Sequence, residues 1–180
     1  PTTVMLAPEQ LQERLDRSEA TWVVTNPGNT DKFDSVQGDF GVITTSTDQL
    51  PGDDVHPQYL YRDSLHASEV FEATEPTPAD DTALIYFTSG TTSRSKMVAH
   101  THTSYPVGHL STVYWIGLEP GDTHLNVASP GWAKHAWSNF FAPLIAEATI
   151  FLYNYTRFDA EELMRVMDAE KVDSICAPQT

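Results

Sequence analysis

Cysteine is nearly absent from this chain. Cys176 stands alone in the apolar run Ser174-Ile175-Cys176-Ala177, so no internal disulfide can form, and a buried structural thiol in a reducing compartment is expected. Positive charge is also scarce. Ten Lys and Arg stand against 25 Asp and Glu, a formal net charge of -15, and most of such a surface repels a nucleic-acid backbone. No apolar run reaches the roughly 20 residues of a membrane span. The greasiest stretch, 140–153, is interrupted by Pro143 and Glu147. A basic-then-apolar leader is missing, and the chain begins at Pro1 rather than Met, which points to processing or a cut boundary. Internal repeats and low-complexity tracts are missing too. A soluble, cytoplasmic chain is the expectation.

What is present fits one domain's worth of packed structure: 180 residues with an apolar share of 40%. The pattern alternates helix and strand. A helix is expected from Pro8, with Leu11 and Leu15 one turn apart on its inner face, followed by a strand at 21–25. A turn at 26–29, a short helix through Phe33 and Val36, and a strand at 41–45 come next. From Asp48 to Asp81, Pro51, Pro57, Pro76 and Pro78 break the pattern, which reads as a connector of loops around one short helix near Leu60–Leu65.

The second half resumes the alternation. Residues 82–87 form a continuous apolar run of buried-strand type, 97–100 can form a strand, 103–115 a helix and 124–128 another strand. A helix starting near Trp132 would stack Ala133, Trp137, Phe140 and Leu144, with Pro143 kinking or ending it, before a strand at 149–153. Asp159, with Glu162 three residues on, predicts a capping box, with Phe158 stapled onto Leu163 and with Leu163, Met164 and Met167 turned inward. The chain stops just past a buried-type strand at 174–177, where an open α/β sheet continues into a loop and helix, so a truncated domain is expected.

One loop carries chemistry. Between Lys32 and Arg94 the only basic residue is Arg62, so Arg94 and Lys96 form a local positive spot in an acidic chain. Thr88-Ser89-Gly90-Thr91-Thr92-Ser93-Arg94-Ser95-Lys96 leaves an apolar strand as a run of small hydroxylated residues around a glycine and ends in a cation. Gly90 permits close backbone approach, the hydroxyls donate without adding negative charge, and Lys96 supplies a compact ammonium, the elements of a phosphate cradle. An ordinary Ser/Thr-rich turn between strands fits the same composition. A nucleotide-kinase loop does not, because it requires Gly before the Lys and Ser or Thr after it, where this chain has Ser95 and Met97. A serine-hydrolase elbow is missing as well. His100 and His102 alternate along a strand, but no third or fourth ligand is spaced to complete a metal site, and none is expected.

Residues 85–96, followed by Val98 and His100, resemble the AMP-binding signature of the adenylate-forming superfamily, which contains acyl-CoA synthetases, luciferases and peptide-synthetase adenylation domains. Asp80-Asp81, His100-Thr101-His102 and Pro130-Gly131-Trp132-Ala133-Lys134-His135 also look like acyl-CoA synthetase sequence. Two positions depart from the pattern: Ser93 stands where the family usually has Gly, and Ser95 where it has Pro.

The resemblance implies an α/β fold made of parts of two mainly parallel β-sheet lobes flanked by helices. Residues 1–118 would be the end of the first lobe, including the phosphate loop 88–96, and 119–180 the start of the second. It also implies an acid–thiol ligase of fatty acid metabolism that joins a carboxylate to ATP and passes the acyl group to coenzyme A, with Mg2+ accompanying the ATP. Thr88, Ser89, Gly90, Thr91, Thr92, Ser93 and Lys96 would bind the β- and γ-phosphates, and Lys96 would act catalytically on the leaving pyrophosphate. Trp132 and His135 would border the carboxylate substrate, although a Trp anchoring a helix reads equally well. The family's Tyr-Gly-x-Thr-Glu segment, ribose-binding Asp, hinge and C-terminal catalytic Lys have no counterpart here, so the expectation is a fragment inactive by itself. The alternative is a nucleotide- or anion-binding or purely structural module without catalysis, as an oligomer that covers its apolar surfaces.

Overall fold

A computed structural model describes residues 1–45, 58–88, 95–155 and 157–177. The chain forms two compact units, one of residues 4–76 and one of residues 1–3 with 77–180.

In the first unit, Pro8 opens helix α1 (Pro8–Ser18), where a missing N–H costs nothing, and the Gln10 side chain accepts from the Ala7 backbone N–H at 3.1 Å. Leu11 is buried with Leu6, Phe33, Val36, Phe40 and Val42, and Leu15 packs against them one turn on. Three parallel strands lie in the order β1 (Trp22–Thr25), β2 (Gly41–Thr44), β3 (Gln58–Leu60). Gly41 leaves room for the Trp22 ring of the neighbouring strand, since a Cβ there would sit 2.4 Å from it. Two 3-10 turns, Pro27–Phe33 and Tyr61–His66, take the places of the two expected short helices. Strand β3 was not legible in the sequence, because three residues carry too little periodicity. The expected loops at 48–57 lie outside the described residues.

In the second unit, β4 (Thr82–Thr88) and β5 (Lys96–Thr101) form an antiparallel hairpin. The expectation that residues 82–87 are buried on both faces is not met: only Tyr86 is buried, because a two-stranded ribbon covers little of its own surface. Helix α2 (Ser104–Ile116) follows, its start tied by reciprocal 2.9 Å bonds between Thr101 and Ser104 and its end turned by Gly117 at φ 78°. The Tyr86 and Tyr105 hydroxyls meet at 2.5 Å, which joins β4 to α2. His109 stacks on Trp137, 4.2 Å between centroids, and Trp137 Nε1 donates to Thr112 Oγ1 at 2.6 Å.

Three more parallel strands complete this unit in the order β7 (Thr149–Phe151), β6 (Thr123–Asn126), β8 (Ser174–Cys176). The crossover from β6 to β7 is helical from Ala133 to Ile145: α3 (Ala133–His135), a π-helical turn (Ala136–Phe141) and α4 (Ala142–Ile145). Pro143 therefore neither ends nor visibly breaks the run. A proline in a helix interior crowds the carbonyl four residues back, here that of Asn139, and the wide turn just before it, with Ala142 N donating to Trp137 O, accommodates the ring. The wide turn also rotates the buried face. Phe140 and Leu144, expected inside, are half exposed, while Ser138, Asn139, Ala142 and Pro143 are buried.

Helix α5 (Ala160–Ala169) is capped by Asp159, whose carboxylate accepts from the N–H groups of Glu161 at 2.9 Å and Glu162 at 3.0 Å. The reciprocal half of the expected capping box is replaced by an ion pair of Glu162 with Arg165 at 2.9 Å. Leu163 is buried as expected, but Met164 is 63% exposed and Phe158 is half exposed, its ring against Tyr155. Cys176 is a buried free thiol. No described helix is long and apolar enough to cross a membrane.

Candidate functional site

Two places carry the candidate residues, both in the second unit. The first is the mouth of the β4–β5 hairpin. Among the described residues, backbone pairing runs from Thr82 opposite Thr101 to Thr88 opposite Lys96. The ladder thus holds Thr88 and Lys96 side by side, one at the end of the apolar strand and one at the start of the returning strand. Lys96 is exposed and forms no ion pair with a described residue. Ser89, Gly90, Thr91, Thr92 and Ser93, the centre of the expected cradle, lie outside the described residues, as does Arg94.

The second is a cavity of about 440 Å³ at the carboxyl ends of parallel strands β6 and β7, lined by residues 125–130 and 151–155 with His135 and Leu163. In open α/β sheets this end of the strands is where ligands bind, because the loops and helix starts there expose unpaired backbone groups. Among the described residues, the lining includes no Lys, Arg, Asp or Glu. Burying a lone charge in such a site is costly, so an uncharged ligand part suits it.

His135 reaches the cavity through a short network. The Asn126 Oδ1 accepts from the Ala128 N–H at 2.6 Å, and His135 Nδ1 lies 2.6 Å from the Ala128 carbonyl. A carbonyl can only accept, so Nδ1 carries a proton, and a donor facing Nε2 would leave that nitrogen bare. Asn139 Nδ2, one helical turn on, lies 3.4 Å from that Nε2. Asn126 and Asn139 are both buried, and Asn126 Nδ2 and Asn139 Oδ1 have no hydrogen-bond partner. Gly131, in the loop between Asn126 and α3, has φ 93°, and a Cβ there would lie 2.3 Å from the Thr2 carbonyl oxygen.

Of the two expected pocket residues, His135 lines the cavity and Trp132 does not; Trp132 is 58% exposed and sits at the start of α3, its carbonyl accepting from His135 N at 3.0 Å. Asn126 and Asn139 were not singled out in the sequence. The signal for both was a lone amide in an apolar setting: Asn126 between Leu125 and Val127, and Asn139 just before Phe140-Phe141. No group of three metal-ligating side chains occurs among the described residues.

The family described as AMP-binding enzyme matches the chain over residues 1–180. The chain is similar to 4-hydroxybutyrate–CoA ligase 1 of Metallosphaera sedula, 44% identical over 107 residues that make up 59% of this chain and 19% of that one. It is 28% identical, across 100% of its length and 31% of the relative's, to Acyl-coenzyme A synthetase ACSM3, mitochondrial, of Homo sapiens. Among solved structures, an acyl-CoA synthetase of Brucella canis superposes with a TM-score of 0.77 at 24% identity, covering 98% of this chain and 32% of that one. The anthranilate CoA ligase AuaEII in complex with anthranoyl-AMP gives 0.75 at 19% identity, covering 94% and 33%. These superpositions establish the α/β fold. The chain spans 19% and 31% of the two curated relatives' lengths.

Proposed function

Because this chain belongs to the AMP-binding enzyme family, we propose that it is the phosphate-gripping part of an AMP-forming acid–thiol ligase, an acyl-CoA synthetase. In that reaction a carboxylate oxygen attacks the α-phosphorus of ATP and pyrophosphate leaves. The coenzyme A thiol then attacks the acyl carbon and AMP leaves.

The observation that carries the reading is the Thr88–Lys96 pair of the hairpin, which sets Lys96 beside the strand residue from which the hydroxyl- and glycine-rich sequence 89–95 departs. Lys96 is exposed and has no ion-pair partner among the described residues, in a chain of net charge -15. Negative charge develops on pyrophosphate as it departs, so a cation and donors placed there stabilise the transition state more than the ground state. On this reading Thr88, Ser89, Gly90, Thr91, Thr92, Ser93 and Lys96 bind the ATP tail, with Lys96 the catalytic cation, and Mg2+ arrives bound to ATP. The cavity at His135 receives the acyl part of the acid, with Trp132 near its approach. The division into an end of one lobe at 1–118 and a start of the next at 119–180, a place in fatty acid metabolism and a cytoplasmic location belong to the same reading. A catalytically silent nucleotide-binding module is the competing one.

The test is carboxylate-dependent exchange of labelled pyrophosphate into ATP by the longer protein that contains this segment. Exchange is expected, and Lys96→Ala should lower its rate about a hundredfold, the effect of removing one transition-state donor. ATP binding without exchange for any acid would sink the ligase reading in favour of the silent module.

A further inference from the structure

Asn139 sits in the π-helical turn of the β6–β7 crossover, 2% exposed, with its amide against the one histidine that lines the cavity. Wide turns of this kind are uncommon and recur at functional sites, where they re-aim a side chain by one position. We infer that Asn139 is a positioning residue for acyl-substrate binding: it fixes His135 as the Nδ1–H tautomer, so that the ring meets the substrate as an uncharged wall. The inference rests on the proposed ligase reading for what the cavity holds, and on geometry alone for the tautomer.

The geometry leaves His135 little freedom. Its Nδ1–H donates to the Ala128 carbonyl at 2.6 Å, and the same peptide's N–H is taken by Asn126 Oδ1 at 2.6 Å, so the acceptor cannot turn away. The bare Nε2 then needs a donor, which the Asn139 Nδ2 supplies at 3.4 Å. With both nitrogens engaged by the protein, only ring carbons and the π face are left for a ligand. The titratable groups sharing the cavity lining are the phenols of Tyr153 and Tyr155. Lys134, next in sequence, is exposed. Nothing in the lining compensates a charge on the ring, so an acid whose body is uncharged is the class that fits.

Asn139→Asp is the discriminating variant, because it keeps the shape and replaces the donor with an acceptor. An acceptor then faces Nε2, which draws a proton to that nitrogen and competes with the bond to Ala128. The KM for the acid in pyrophosphate exchange should rise about tenfold over wild type, the worth of one lost hydrogen bond, with kcat within about twofold. With His135→Gln already in place, Asn139→Asp should change the KM by less than about twofold. An Asn139→Asp KM equal to that of the wild type, or one that rises as much in the His135→Gln background, overturns the inference.

A second measurement needs no activity. Nitrogen-15 NMR of the histidine rings should place the His135 proton on Nδ1 in the wild type and show a proton at Nε2 in Asn139→Asp. A wild-type ring protonated at Nε2, or a pattern unchanged by the substitution, overturns the inference. Absence of exchange for every acid sinks the ligase reading instead and leaves the ring measurement to decide this one.

Discussion

At the scale of single residues, the second unit stores two histidines in places that suit only the neutral ring. His109 and His124 are both fully buried, and burial holds each below the ordinary imidazole range. His109 donates from Nδ1 to the Tyr105 carbonyl and leaves Nε2 unpaired, while His124 Nδ1 lies 2.8 Å from Ser174 Oγ. The unfolded chain binds a proton on each near pH ~6.5, and the folded chain does so only at lower pH. Stability from these groups is therefore complete above about pH 6.5 and is lost as the pH falls below it towards the depressed folded values. Urea unfolding across that window should show a free energy falling with acid by at most about 1.4 kcal/mol per pH unit per histidine. His109→Gln should flatten the slope; an unchanged slope would mean His109 does not titrate on unfolding. Neither histidine was marked as buried by its sequence context, because an imidazole on a helix or strand can face either way until the neighbouring elements are placed. Lys96 and His135, in contrast, stood out beforehand through the run of neighbours around them.

At the scale of elements, local rules decided the ends of helices and tertiary packing decided their faces. The start of α5 was read from Asp159 with Glu162 three residues on, and of that pair the Asp159 cap forms. Asp159→Ala should cost about 1 kcal/mol in chemical denaturation, and Asp159→Ser should recover most of it. A change within experimental error for the alanine would show that the cap contributes nothing beyond what solvent supplies. The β6–β7 crossover went the other way. A regular 3.6-residue period gives Ala133, Trp137, Phe140 and Leu144 as its inner face, yet the π-helical turn buries Ser138, Asn139, Ala142 and Pro143. The sequence carries Pro143 openly but not the remedy for it, since a proline can be met by a break, a kink or a widened turn. That widened turn also sets Asn139 against His135, so this part of the candidate site was hidden by the same feature that hid the helix face. The hairpin was legible in its strands but not in its pairing: an apolar run such as 82–87 fits a buried parallel strand and a ribbon edge equally well.

At the scale of the whole molecule, charge is the dominant plain fact. A net charge of -15 on 180 residues repels itself in the folded state, and salt screens that repulsion over roughly 10 Å at about 0.1 M. Raising NaCl from about 0.02 M to about 0.5 M should therefore raise the melting temperature by several degrees, whereas an ion-pair-stabilised protein would lose stability over the same range. The ion pairs Arg17–Glu13, Arg62–Asp63 and Arg165–Glu162 are half-buried or exposed and close in sequence, so they oppose the gain little. The family and the strand-and-helix alternation were determined by the sequence itself, because each depends on contiguous residues whose types act locally. The cavity at the ends of β6 and β7 and the meeting of His135 with Ala128 and Asn139, and of Asn126 with the Ala128 N–H, were decided only in the fold. They depend on groups brought within about 3 Å of one another by strand pairing and a widened helical turn, and no spacing along the chain encodes such a meeting.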